Sequence, residues 1–323
     1  MNAWILGVLL AAGAPNLVQV DLVFTGEIAG LFQVREARWI NPDFPPLIGG
    51  AASLKTYLDQ VRAEAKQDGA AFFLLDAGGS LGGNLMGEGS NPRLTAGILN
   101  LLGYDLKNVG IRDLYRGAAG LKEMARVARF PLLSANLRER QDTTTPPPYL
   151  RPYWILEAHG LRIGVFGLIT EEAPIFLLNH HLQPFYVARD VATARAMVAE
   201  LRKQGADFIV ALTNLGVSRD TMLARVVPGI DLIIGSFDGR GMREAYEDPT
   251  NHTIVVRTYS GLSDVGRIRL FFDPETRTLV RYEYQETSLF VDEFPPDPDL
   301  LQVVQRGMPA PATAPRVKAA TAQ

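Results

Sequence analysis

Any chemistry in this chain has to be done with oxygen and nitrogen side chains, because it holds no cysteine and only four histidines. Zero cysteine excludes disulfides, thiolate metal sites, iron–sulfur clusters and cysteine nucleophiles. The histidines are His159, His180, His181 and His252, few for a hydrolase built on a histidine-rich metal site. His180 and His181 are adjacent, so one helix or strand face cannot present both to a metal ion, and they read as a surface loop. His159 precedes an apolar run and reads as a turn residue. Ser236 and Ser263 have no histidine at an activating spacing, so a Ser/His/Asp hydrolase is not supported. No pair of carboxylates stands out for glycoside chemistry. The stretch 78–89, GGSLGGNLMGEG, lacks the G-K-[ST] ending of a phosphate-binding loop and reads as a mobile loop with positive-φ glycines. Asn251-His252-Thr253 fits the glycosylation sequon, a triplet common by chance.

The balance of the chain is globular. Of 323 residues, 47% are hydrophobic and 21% charged, with 32 Lys+Arg against 35 Asp+Glu and a net charge of -3. Disorder needs lower hydrophobicity and higher net charge, and a near-neutral balance gives no electrostatic case for nucleic acid. No run reaches the roughly 20 apolar residues that span a bilayer. The first residues, MNAWILGVLLAAGA, carry an apolar run and an A-x-A arrangement at Ala12 and Ala14. They read as a short signal peptide or N-terminal extension over 1–17, which implies an exported protein, periplasmic or extracellular.

These groups must be positioned by alternating strands and helices. Apolar, β-branched runs predict strands over 18–24, 71–75, 106–109, 131–133, 153–157, 161–166, 207–212, 231–234, 253–257, 266–272 and 278–285. Helical periodicity falls over 51–65, 92–102, 118–128, 191–203 and 219–226. Strands separated by such helices indicate βαβ units and a mixed sheet, or two sheets. The last three strands follow one another with turn signals such as Asp273-Pro274-Glu275-Thr276, which predicts an antiparallel end. The proline-rich 143–148 is a surface loop, and the tail from Pro309 is low in complexity.

Several segments, in order, resemble the catalytic domain of the 5'-nucleotidases, a branch of the calcineurin-like metallophosphoesterases. Residues 20–30, VDLVFTGEIAG, are similar to the first strand and its T-N-D-x-H-G turn. Residues 72–83, FFLLDAGGSLGG, resemble the L-L-D-A-G-D loop. The stretch 98–136 resembles the surroundings of G-N-H-E-F-D-x-G, with LLGYD before it and FPLLSAN after. Residues 160–168 (GLRIGVFGL), 211–235 (with S-H-L-G and V-P-G-I-D-x-I-I-G counterparts) and 255–272 complete the series. The resemblance runs over about 18–304 and implies a four-layer α/β/β/α sandwich with two mixed sheets and a site at their loop edge. Residues 294–300, FPPDPDL, resemble the connector into the family's C-terminal nucleotide-binding domain, which is expected to be absent, leaving a tail over 305–323.

The resemblance also implies two divalent metal ions held by carboxylates and imidazoles. Matched position by position, the first-turn aspartate is Glu27 and the histidine after it Ala29. The bridging aspartate is Gly79. In the G-N-H-E-F-D motif the asparagine is Ile111, the catalytic histidine Arg112, the glutamate Asp113 and the orienting aspartate Tyr115. The histidine of S-H-L-G is Asn214, and those of the G-H-x-H loop are Phe237 and Gly239. Asp76 is present but matches a residue that is not a ligand. Glu27 with Asn214 falls short of the ligand count of a zinc or magnesium-type site, so no cofactor is expected. Glu27, Arg112, Asp113, Arg116 and Asp238 are expected to form a polar network there, with Arg112 available to a phosphate.

Three functions compete on this reading. The first is a non-catalytic binding or accessory subunit acting on an unknown protein partner. The second is a phosphoric-ester hydrolase with a rearranged site using Glu27, Asp113, Asn214 and Asp238, with Arg112 holding an oxyanion. The third is a module that binds a small phosphorylated ligand without cleaving it.

Overall fold

In the computed structural model, which describes residues 17–84, 89 and 91–307, two six-stranded sheets stack face to face. The expected signal segment lies outside the described residues except for Leu17, as do the tail beyond Gly307 and part of the glycine-rich loop.

The first sheet has the order β16 (Leu279–Ser288), β15 (Asp264–Phe272), β1 (Val18–Thr25), β4 (Ala71–Asp76), β5 (Leu106–Asn108) and β6 (Leu132–Leu133). β1, β4, β5 and β6 run parallel, while β15 pairs antiparallel with β1 and β16. The second has the order β13 (Tyr246–Glu247), β14 (Ile254–Arg257), β12 (Leu232–Ser236), β11 (Phe208–Asn214), β9 (Leu161–Ile169) and β8 (Tyr153–Ala158). Its four middle strands are parallel and its edges antiparallel.

Strand alternation builds the layers. On β1, Val20, Leu22 and Phe24 face the inter-sheet core with Leu75, Val210, Leu212 and Ile234. Val23 faces the other way, into a core shared with α1 (Ala51–Asp68), α2 (Pro92–Leu102), α3 (Gly117–Val127) and α8 (Pro298–Gly307). The outer face of the second sheet packs on α6 (Asp190–Lys203) and α7 (Val217–Val226). The result is the expected four-layer α/β/β/α sandwich. Helix ends obey local rules: the Asn91 side-chain Oδ1 accepts from Leu94 N at 3.0 Å, Pro92 opens α2, and left-handed Gly103 closes it.

Small elements complete the chain: a hairpin of β2 (Arg35–Glu36) and β3 (Leu47–Ile48), a pair of β7 (Leu137–Glu139) and β10 (Phe185–Val187), and one-turn helices α4 (Ala173–Phe176) and α5 (Asn179–Leu182).

Three expectations are corrected. The strand expected over 253–257 does not join the antiparallel end; β14 pairs parallel with β12 in the second sheet. The segment read as connector and tail forms α8 through Gly307, because Leu300 and Val304 bury against α1 and α2. His181 is not on a surface loop: it is buried in α5 against Tyr115, ring centroids 6.5 Å apart.

Candidate functional site

The parallel strands of both sheets end on one edge, and their first loop residues converge there, as in open α/β sheets generally. β1 delivers Glu27, β4 delivers Gly79, β5 delivers a 3-10 turn at Arg112–Leu114, β11 ends in Asn214 and β12 is followed by Phe237 and Asp238.

At the centre are protein cations. Lys107, on β5, is fully buried, and its ammonium donates to Asp113 Oδ2 at 2.8 Å, Asp76 Oδ1 at 3.0 Å and the Asn108 carbonyl at 3.0 Å. Burial works against the charge, but Asp113 and Asp76 outweigh it and hold the ammonium above its ordinary range. Asp113 is saturated: it also accepts from Gly79 N at 3.0 Å, Gly110 N at 2.8 Å, Leu81 N at 3.2 Å and Ser80 Oγ at 3.3 Å. Behind it, Asp76 accepts from Thr25 Oγ1 at 2.9 Å, and Thr25 lies 2.7 Å from the Tyr104 hydroxyl.

The second cation is Arg112. Its Nε donates to Glu27 Oε1 at 2.6 Å while its guanidinium lies over the Tyr115 ring at 5.6 Å. Burial pushes the Glu27 carboxyl up to about 7, against the pull of Arg112 and Asn214. Asn214 is locked on both ends. Its amide oxygen accepts from Ile111 N at 2.9 Å, and its nitrogen donates to Ser236 Oγ at 2.8 Å and, more weakly, Glu27 Oε2 at 3.4 Å. A side chain at residue 79 would have nowhere to go, because a Cβ there would stand 2.3 Å from Glu27 Oε2.

The expected network is therefore split. Glu27 and Arg112 pair, but Asp113 turns inward to Lys107, and Asp238 pairs with Arg257 at 2.5 Å and caps α7 through Val217 N at 2.8 Å. Arg257 is fully buried and bridges on to Asp220. Arg116 lies exposed at the start of α3. Phe237 packs edge-on against Phe176, centroids 4.9 Å apart, and Gly239 lines a neighbouring cavity. Ile111 is buried, and Ala29 holds only a backbone bond to Gly79.

These residues do not fit a pair of divalent ions. Ala29, Gly79, Ile111, Phe237 and Gly239 offer no side-chain lone pair; the Asn214 oxygen is committed to backbone; Glu27 and Asp113 each already hold a protein cation. Among the described residues, no group of three or more His, Asp or Glu side chains is arranged to hold a metal ion.

Sequence reasoning missed Lys107 and the Arg257–Asp220 pair. The signal was a lysine in the middle of a buried parallel strand, LKNV, where a charge needs an internal partner. Asn251, of the sequon, donates its amide to the carbonyls of Ala224 and Arg225 at 2.9 and 2.7 Å.

Comparison with known proteins points one way. No family model matches the chain. It is 32% identical over 191 residues to the 5'-nucleotidase of Rattus norvegicus, covering 58% of this chain and 32% of that protein. The 5'-nucleotidase precursor of Thermus thermophilus superposes with a TM-score of 0.75 at 21% identity, covering 89% of this chain and 58% of that one. The calcineurin-like phosphoesterase YfkN of Bacillus subtilis gives a TM-score of 0.72 at 19% identity, covering 90% of this chain and 96% of that one. The chain spans less than half the length of the curated relatives it matches.

Proposed function

Since this chain is a 5'-nucleotidase-like protein of the calcineurin-like phosphoesterase fold, and its own cations occupy the carboxylates at the loop edge, we propose that it is non-catalytic and acts by binding, as an accessory subunit outside the cytoplasm. The observation that carries the reading is Lys107. A metal-dependent phosphoesterase needs carboxylates free to hold ions that activate water and clamp phosphate oxygens. Here Asp113 spends one oxygen on an ammonium and every other contact on loop donors. The buried carboxylates at this edge, Asp76, Asp113 and Glu27, are paired with Lys107 and Arg112 from inside the protein. Export rests on the N-terminal sequence, and among the described residues no helix is long and apolar enough to cross a membrane.

A second reading, a phosphoric-ester hydrolase with a rearranged site, is favoured by one feature. A carboxyl at about 7 beside a half-exposed guanidinium is a workable acid–base group next to an anion-binding one. The third reading, phosphate held by Arg112 without cleavage, uses the same pair. A screen of phosphate mono- and diesters separates them. The non-catalytic reading expects no turnover above a denatured control. The hydrolase reading expects turnover that Glu27→Ala and Arg112→Ala abolish, and activity unchanged in both variants rejects those roles.

A further inference from the structure

The loop edge carries a second feature, a cavity of about 520 Å³ beside the ion pairs. It is lined by the β2–β3 hairpin on one side and the loops after β12 and β14 on the other. That volume lies in the range of small-molecule sites.

Its walls are unusual in two ways. First, the hairpin leaves large apolar groups in solvent: Trp39 is 64% and Ile40 51% exposed, and Tyr259 faces solvent by 39% across the opening. Trp39 is nonetheless held in place, because Arg35 lies over its ring at 5.5 Å and is itself tied to the Gly261 carbonyl. Second, the charge balance is cationic. Arg35 and Arg243 both line the cavity. Arg243 makes no hydrogen bond or salt bridge among the described residues, and its charge acts on the Glu286 carboxyl. The lining carboxylate, Asp264, already accepts from Ser288 Oγ at 2.6 Å, and Glu286 accepts from Tyr259 N at 3.1 Å. The Ser260 hydroxyl, also in the wall, has no partner among the described residues.

We propose that this cavity binds a small organic carboxylate with a flat apolar body. The body lies among Trp39, Ile40 and Tyr259, and the carboxylate meets the planar fork of Arg243 with the Ser260 hydroxyl beside it. The proposal rests on the reading of the chain as a binding protein and gives that reading a ligand class. It uses none of the residues that stand at the degenerate metal positions except Gly239 in the wall.

The test is isothermal titration of the full chain with 2-naphthoate, against uncharged 2-naphthamide, in wild type, Arg243→Gln and Trp39→Ala. Both side chains are exposed, so the variants keep the fold. The expected result is saturable one-to-one binding of 2-naphthoate, weakened roughly tenfold or more for the amide and for each variant, which is the scale of one charge-assisted contact. No saturable binding, or an affinity that the amide or either variant leaves unchanged, overturns the proposal. Metal content and esterase activity measured on the same sample keep the two claims apart. A silent titration in a metal-free, inactive protein ends only the pocket; naphthoate binding in a protein with two bound ions ends only the non-catalytic reading.

Discussion

The Glu27 carboxylate occupies the space that a side chain at Gly79 would need: a Cβ there would lie 2.3 Å from Glu27 Oε2 and 3.0 Å from its carboxyl carbon. Gly79 also sits at φ 80, in the left-handed region. Glu27 and position 79 thus compete for one volume, and the carboxylate that fills it pairs with Arg112. Gly79→Asp is expected to destabilise the fold by about 2–3 kcal/mol through clash and strain. Glu27→Ala in the same chain should return part of that loss, measured as a coupling in urea denaturation. Strict additivity would mean the two positions do not share space.

Lys107→Met leaves Asp76 and Asp113 buried without their cation. The expected cost is about 3–5 kcal/mol, the range for breaking a buried ion pair from one side, read as a lower denaturation midpoint at unchanged m-value. Without the ammonium, burial drives the Asp76 carboxyl up further, so the deficit is largest at high pH. It shrinks as pH falls through that raised value and Asp76 takes up a proton. A deficit independent of pH would place the loss elsewhere.

Most of the long elements are legible from the sequence, and the site is legible mainly as a set of residue types. β1, β4, β9, β11 and β12 read directly because strands buried on both faces are near-continuous apolar runs. α2 reads to the residue because Asn91, Pro92 and Gly103 are its stop and start signals. The two-residue strands β2 and β3 and the helix α8 do not read, because tertiary packing rather than periodicity makes them. At the site, Ala29, Gly79 and Phe237 are visible as residue types. The ion pairs of Lys107 are not, since Lys107 lies outside every matched motif position and only its depth in the strand reveals its partners.

Arg112 lowers the Glu27 carboxyl through a hydrogen bond and its charge, while burial raises it. Arg112→Ala removes the lowering part, so Glu27 is expected to titrate above about 7 by carbon-13 NMR. The stability change should stay small, because the guanidinium is partly in solvent. A titration at or below the wild-type value would contradict the pairing.

Glu286 supplies a pH signature of its own. Burial and the Asp264 charge push it up to about 7 from 4.5, so the folded chain binds a proton there that the unfolded chain has released. Its contribution to stability is therefore present at low pH and is lost as pH rises from about 4.5 to about 7. Glu286→Gln is expected to flatten that part of the stability–pH curve. An identical slope in the variant would show that Glu286 is not the titrating group.

Metal content tests the non-catalytic reading of this protein most directly. Purified protein incubated with manganese, zinc or cobalt, dialysed and analysed by elemental mass spectrometry is expected to carry no stoichiometric metal, because Lys107 and Arg112 already hold Asp113 and Glu27. Two bound ions per chain would contradict it.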